Sequence, residues 1–373
     1  MALIGIDIRK LGDYGIGTYI RNLLVELDKL GGEHKYLLFR KPDEKTDSLP
    51  LGMETRVEKS RLYSPLEPFK LGRSARREGI DLLHCPHYVT AFAPGCPMAV
   101  TIHDLIHLLF PQYLPNRSAL RYARYFLKRA ASKAAVIFAV SERTKADILE
   151  HLPAKEEQIV VTHNAVDPRM FFEPETAELE EARTRYRLDK PYILYVGNLK
   201  PHKNLAVAVE AFARFRNEAG DEWRFVVVGS DVASNEVHRR IEMSGAKGAV
   251  RFLGFIPERH LRSVFKLAGI FLFPSLYEGF GLPPLEAMAA GVPVVSSNSS
   301  SLPEVLGDAA LLVDPHDSTA MGDALLRIIE NDELRQQLIN SGRERVKRFS
   351  WRTAAEKTLA GYREALGRAG SDR

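Results

Sequence analysis

SLYEGFGLPPLEAMAAGVPVV, residues 275–295, follows an apolar run, Ala268–Phe273, that reads as a buried strand. Glycines 279 and 281 turn the chain, and a helix opens after them. Strand, glycine turn, helix is the geometry that presents backbone N–H groups to a phosphate. Two carboxylates flank the turn. Glu286 falls in the first turns of the helix, within reach of a ribose. Glu278 stands before the glycines, where it could face a sugar. A nucleotide sugar needs both parts, an anion cradle for its diphosphate and acceptors for its hydroxyls. Taken singly, Glu278 could be solvated loop charge, and Glu286 a carboxylate favoured by the helix dipole.

Outward from this stretch the chain alternates strands and helices, which predicts parallel, doubly wound α/β sheets. Short apolar strands are expected at Ala2–Ile8, Tyr36–Phe39, Leu82–His84, Met98–His103 and Val136–Val140. Helical spacing runs over Thr18–Leu30 and Arg117–Ala131, and residues 41–60 read as a polar loop. An acidic, proline-containing linker, Asp167–Leu188, interrupts the rhythm. A second series then follows, with strands at Tyr192–Val196, Arg224–Val228, Val250–Leu253, Gly269–Phe273 and Val292–Ser296. A final helix, Arg352–Leu366, has Ser350 as its expected cap. Two such halves would face each other across a cleft, with ligands beyond the carboxyl ends of the strands.

The length, 373 residues, suits two domains. A net charge of +4 is only mildly basic and, with no basic repeat or zinc-finger spacing, does not point to nucleic acid. Cys85 and Cys96 are too few for a disulfide framework and fit a reducing compartment. No metal-ligand cluster, signal-peptide pattern or membrane-length apolar run is present. The expected location is cytoplasmic.

The E-x7-E spacing of Glu278 and Glu286, within EGFGLPPLEAMAAGVPVV, resembles the donor-binding element of retaining glycosyltransferases of family 4. The resemblance covers nearly the whole chain, and NSSSLPEVLGDAALLVDP extends it. It implies a GT-B fold, two facing Rossmann-like domains. An N-terminal acceptor-side domain would cover 1–170, with helix 351–373 packing back on it, and a nucleotide-sugar domain would cover 171–350. It implies transfer of a hexosyl unit with retention, with no cofactor and no obligatory metal. The subgroup words TIHDLIHLLFPQYLP and YVGNLKPHKN look most like mannosyltransferases of surface-polysaccharide assembly, so GDP-mannose is the first donor expected. A sugar-nucleotide epimerase on the same fold and a non-catalytic nucleotide-sugar binder are the alternatives.

The resemblance also assigns residues. In YVGNLKPHKNL, residues 195–205, Lys203 would sit at a helix start and meet the diphosphate, with Gly197 beside it. Asn198 stands where the family usually has a basic residue. His202 reads as a surface histidine. Gly281 and Leu282 would offer amides, with Gly279 and Phe280 in the same turn, and Glu278 and His103 would fix the sugar. Backbone at Phe255 and Ile256 would meet the base. In LGDYGIGTYIRNL, Gly15 and Gly17 would approach the donor. Asp13, Tyr14 and Asp104 are the acceptor-side expectations. Arg117, Arg121, Arg124 and Lys128, interleaved with Tyr122, Tyr125 and Phe126, make one basic helical face. That face is either solvated charge or a contact for the inner face of the cytoplasmic membrane.

Overall fold

The computed structural model describes residues 1–32, 34–44, 49–50, 52–229 and 233–371, and leaves the side chains of Tyr14 and of 369–371 undescribed. The chain divides into two compact units, Met1–Asn164 with Ser350–Arg373, and Ala165–Phe349.

In chain order the first unit holds β1 (Ala2–Asp7), α1 (Tyr14–Leu30), β2 (His34–Arg40), β3 (Glu54–Val57), α2 (Glu67–Arg77), β4 (Leu82–Cys85), β5 (Met98–Ile102), α3 (Ile106–Leu109), α4 (Arg117–Lys133), β6 (Val136–Ala139), α5 (Glu142–His151) and β7 (Ile159–Val161). The second holds α6 (Thr176–Tyr186), β8 (Tyr192–Val196), α7 (Leu205–Ala219), β9 (Arg224–Val228), α8 (Asn235–Met243), β10 (Val250–Gly254), α9 (Glu258–Lys266), β11 (Ile270–Phe273), α10 (Leu282–Ala289), β12 (Val294–Ser297), α11 (Leu302–Leu306), β13 (Leu311–Val313), α12 (Ser318–Glu330) and α13 (Asp332–Val346). The last helix, α14 (Trp351–Ser371), returns to the first unit.

Both sheets are parallel throughout, in the orders β3-β2-β1-β4-β5-β6-β7 and β10-β9-β8-β11-β12-β13. Strands β4, β5, β6 and β11 are buried along their whole length, as expected where helices cover both faces of a sheet. In each sheet the order reverses once, between β1 and β4 and between β8 and β11. Connections leave such a pair in opposite directions and open a crevice at its carboxyl end.

The expected loop over 41–60 is corrected in part. Residues 54–57 form β3, an edge strand of sequence ETRV whose charged, exposed side chains hide the apolar run that marks a central strand. Strands β7 and β13 and helices α12 and α13 were also not anticipated. The two strands are three residues each, too short for a periodic signal.

Buried polar contacts seat α14 on the first sheet. Tyr362 Oη lies 2.6 Å from His84 Nδ1, His84 Nε2 lies 2.8 Å from Thr101 Oγ1, and Tyr19 Oη lies 3.0 Å from the same Thr101 oxygen. Burial holds the His84 imidazole down to about 3, so it is neutral in this chain. Lys357 Nζ donates to Val161 O at 3.0 Å, and a methyl added at Gly361 would stand 2.7 Å from the Phe138 ring. No helix among the described residues is long and apolar enough to cross a membrane.

Helix α1 lies so close to the loop after β1 that a methyl at Gly17 would sit 2.1 Å from the Leu11 carbonyl oxygen. Gly17→Ala gains about 1 kcal/mol of helix propensity. It must also displace backbone, and a net loss of about 1–3 kcal/mol is expected. Urea denaturation measures this directly, and an unchanged or higher midpoint would refute the close-approach account.

Candidate functional site

The loops after β8 and β11 meet at the switch point of the second sheet. The first runs through Gly197 to a single 3-10 turn, Pro201–Lys203. Asn204 follows in the left-handed conformation, φ 58°, and only then does α7 begin. Lys203 therefore precedes the helix rather than standing at its first position. Leu276 N donates to His202 O at 2.8 Å, and Asn204 Nδ2 donates to Pro274 O at 3.1 Å and Pro315 O at 2.6 Å. Between these ties Lys203 Nζ donates to Glu278 Oε1 at 2.5 Å. Each side chain of this ion pair is 12% exposed. Phe273 lies under the ammonium, its ring centroid 5.5 Å from Nζ.

The turn after Glu278 depends on glycine and serine. Gly281 is the N-cap of α10 at φ 98°, a region that disfavours other residues. Pro283 and Pro284 follow, so of the first three helical positions only Leu282 carries an N–H. The residues 299–301 brace the turn from behind. Ser300 Oγ accepts from Glu278 N at 3.2 Å and donates to Glu278 O at 2.5 Å. Ser301 Oγ lies 3.0 Å from Glu278 O and 2.9 Å from Phe280 O, and Ser299 Oγ donates to Ser275 O at 3.0 Å. The sequence reading gave these serines no role, though the run of three polar residues before an apolar helix was a visible signal. Gly229 was missed as well. A methyl there would meet Gly197 O at 2.2 Å, so β9 ends flush against the loop after β8.

Other expected residues fall as follows. Asn198 Oδ1 accepts from Lys200 N at 3.3 Å, and its carbonyl accepts from Tyr195 Oη at 2.8 Å, which shapes the loop. His202 is a correction. It is 7% exposed, not a surface residue, because the 3-10 turn tucks it under the loop after β11. Gly279 is buried in the turn. The Phe280 ring packs edge-on against Phe349 at 5.4 Å, so Phe280 offers a ligand its backbone only. Ile256 is likewise buried, whereas Phe255 is 65% exposed.

Glu286 lies on α10 among acidic neighbours. Burial raises its carboxyl to about 7, with Asp167 and Glu258 adding like-charge repulsion. Arg169 bridges those two, donating to Asp167 at 2.9 and 2.7 Å and to Glu258. A carboxyl poised near neutrality can donate or accept toward a pair of ribose hydroxyls.

In the first unit, His103 directly follows β5, which ends one residue short of the expected strand end. Burial lowers its imidazole to about 4, against the Pro86 carbonyl and Asp104, which favour the cation. Its Nε2–H donates to Pro86 O at 3.1 Å, which makes Nδ1 the accepting side. Asp104 does not pair with it. Oδ1 of Asp104 accepts from Ile106 N at 3.0 Å and starts α3. Asp13 is held by Lys10 at 2.8 Å, makes no capping bond to α1, and precedes Tyr14, whose side chain lies outside the described residues. Space around Gly15 is open, unlike that around Gly17. His87, missed by the sequence reading, follows β4. Burial, then the Lys10 charge, keeps it well below its ordinary value.

No group of three or more His, Cys, Asp or Glu among the described residues is placed to hold a metal ion. A recess of about 270 Å³ lined by Arg187, Lys190, Arg224 and Arg251 opens at the amino ends of β8–β10, away from these loops.

Residues 14–169 match the family model described as Glycosyltransferase Family 4, and residues 177–345 that of Glycosyl transferases group 1. An O-antigen chain mannosyltransferase B of Escherichia coli is 32% identical over 70% of this chain and 69% of its own length. The chain belongs to glycosyltransferase family 4. A serotype-specific mannosyltransferase WbdA of E. coli is 27% identical over 71% of the chain, which spans about a third (33%) of that relative. Among solved structures, Anabaena HepE in complex with UDP and glucose superposes with a TM-score of 0.76 at 17% identity, over 96% of this chain and 99% of the other. The fold is GT-B, and this family 4 protein is a glycosyltransferase.

The half-buried Glu286, held among acidic neighbours, makes stability depend on pH. Its folded value, about 7, lies above the ordinary 4.5, so between those values the native state binds more protons than the unfolded chain. Stability from this group is therefore present below pH 4.5 and lost as pH rises through 7. Glu286→Gln should remove that loss, making the ligand-free variant about 2–3 kcal/mol more stable than wild type at pH 8. Urea midpoints of both proteins across pH 4.5–8 provide the check, and parallel profiles would contradict the assignment.

Proposed function

We propose that this family 4 glycosyltransferase moves a hexosyl unit, mannose from GDP-mannose in the first instance, onto a glycan or lipid-linked saccharide in surface-polysaccharide assembly, with retention at the anomeric carbon. The observation that carries this reading is the Lys203–Glu278 pair at the switch point, beside the Gly281 turn. The pair is neutral as it stands. A diphosphate at the turn would draw the ammonium toward itself, and the released carboxylate would accept from sugar hydroxyls. Lys203 and the Leu282 amide then oppose the charge of the departing nucleoside diphosphate, a role for which no metal is required. Glu286 would hold the ribose. The donor's own phosphate can take the acceptor proton, so no dedicated protein base is assigned. Mannose is supported by the two E. coli relatives, both named as mannosyltransferases. The UDP in the Anabaena protein supports a nucleotide donor without choosing the base.

A second surface supports a membrane contact. We also propose that the first unit docks on anionic lipid. Phe69 and Tyr125, 57% and 55% exposed, flank Phe92 with ring centroids 4.7 and 6.4 Å from it. Exposed Lys70, Arg73, Arg121, Arg124 and Lys128 surround them on α2 and α4. Aromatic rings beside cations suit an acidic bilayer face.

A thermal-shift panel of GDP-, UDP-, ADP- and dTDP-sugars tests the donor. At a hundred times its dissociation constant a ligand adds about 2.7 kcal/mol. GDP-mannose should stabilise most, and a UDP-sugar in its place would overturn the donor assignment. Lys203→Ala should lower turnover by about 10²–10³ in a folded variant, and near-normal turnover would remove its role. For the membrane contact, vesicle flotation should show binding that needs an anionic lipid and weakens with salt. Arg121→Glu with Arg124→Glu should abolish it, and equal flotation on phosphatidylcholine alone would reject it.

A further inference from the structure

Tyr63 is 51% exposed, yet its backbone is held at φ 62°, a conformation unfavourable for a bulky side chain. Several groups keep it there. Its N–H donates to Glu67 Oε2, and its hydroxyl accepts from Lys10 Nζ at 2.6 Å. Its ring meets His87 and Tyr122 at steep angles, with centroids 5.8 and 6.4 Å away. The holders are themselves fixed. Arg9, wholly buried, donates to Glu67 at 3.0 Å, to Ser60 Oγ at 2.8 Å and to Asp7 at 2.7 and 2.6 Å. Lys10 also pairs with Asp13 at 2.8 Å.

The position matters as much as the strain. Arg9 and Lys10 follow β1 after one intervening residue, Ile8, and His87 follows β4. The cluster therefore stands beyond the carboxyl ends of the two strands that flank the switch point of the first sheet, where α/β sheets bind ligands. A buried ion network that pins an aromatic ring does not serve the core if the ring is left half in water. Observed strain held by a rigid surround is a mark of a working site.

We propose that Tyr63 is the platform on which a pyranose ring of the saccharide acceptor stacks, with the Asp13 carboxylate, 43% exposed, receiving one of its hydroxyls. One face of a pyranose carries several C–H groups, which complement the negative face of an aromatic ring. Polar groups at the rim then fix the orientation. This deepens the transferase reading on its acceptor side and rests on it.

The test uses methyl α-D-mannopyranoside and its gluco, galacto and N-acetylglucosamine counterparts, titrated onto the full chain and followed by saturation-transfer NMR. At least one should bind wild type, with saturation strongest on the C–H protons of one ring face. Tyr63→Phe, which keeps the ring, should bind like wild type. Tyr63→Asn tolerates the positive φ, so it should fold, and it should weaken binding by at least about tenfold. Phe172→Ala, which removes a ring that is 64% exposed in the second unit, should change nothing. Equal binding by wild type and Tyr63→Asn, or no pyranoside binding to wild type, overturns the proposal. GDP- and UDP-sugar thermal shifts on the same proteins separate the failures. Donors that stabilise wild type and Tyr63→Asn alike, without a change in pyranoside binding, leave the transferase reading standing and the platform refuted. Donors that stabilise neither remove the reading on which the platform rests.

Discussion

The Lys203–Glu278 pair is the interaction on which the second unit's site depends. Its members are 75 residues apart in sequence, and they meet because β8 and β11 are neighbours in the sheet. Each charge is almost withdrawn from water, so each requires the other, and removing one strands its partner at a cost of several kcal/mol. The backbone bond from Leu276 to His202 and the side-chain bond from Asn204 Nδ2 to Pro274 O hold the two loops in register around the pair. The arrangement has two consequences. It keeps an ammonium beside a glycine turn when no anion is present. It also couples any movement of Lys203 to the release of a carboxylate, so diphosphate and sugar contacts would form together.

The turn itself is positioned from outside. Irregular backbone must still satisfy its carbonyls, and here the hydroxyls of Ser300 and Ser301 do so from the β12–α11 connection. Gly229 adds a second external constraint, since any side chain there would push on Gly197. Much of the site's precision thus resides in small residues that would touch no ligand.

The strands were legible because both faces of a parallel sheet are covered, which writes them as continuous apolar runs such as IFLF and VIFA. The glycine turn and the spacing of Glu278 and Glu286 were legible because they are local. What escaped reading was tertiary or short. Edge strand β3 has no apolar run. The burial of His202 follows from a neighbouring loop. The pairing of Lys203 with Glu278, and of His84 with Tyr362 across 278 residues, depends on topology that no local pattern encodes. The Arg9–Glu67–Tyr63 cluster is of the same kind, Arg9 being brought across 58 residues to meet the segment that carries Tyr63 and Glu67.

The two sheets share the order 3-2-1-4-5-6 around their switch points, yet the chemistry placed there differs. Beyond β8 and β11 stand glycines, serine hydroxyls, a lysine and carboxylates, a surface that can exchange an internal ion pair for an anionic ligand. Beyond β1, β4 and β5 stand Tyr63, His87 and His103. Burial keeps both imidazoles neutral, and the cations Arg9 and Lys10 are already bound to carboxylates. Such a surface has little net charge to offer a phosphate. It has aromatic faces and single hydrogen-bond partners, which suit an uncharged polyol. On the proposed reading, one topology used twice would provide one crevice for a charged ligand and one for an uncharged saccharide, the division that a glycosyl transfer between a nucleotide and a saccharide requires.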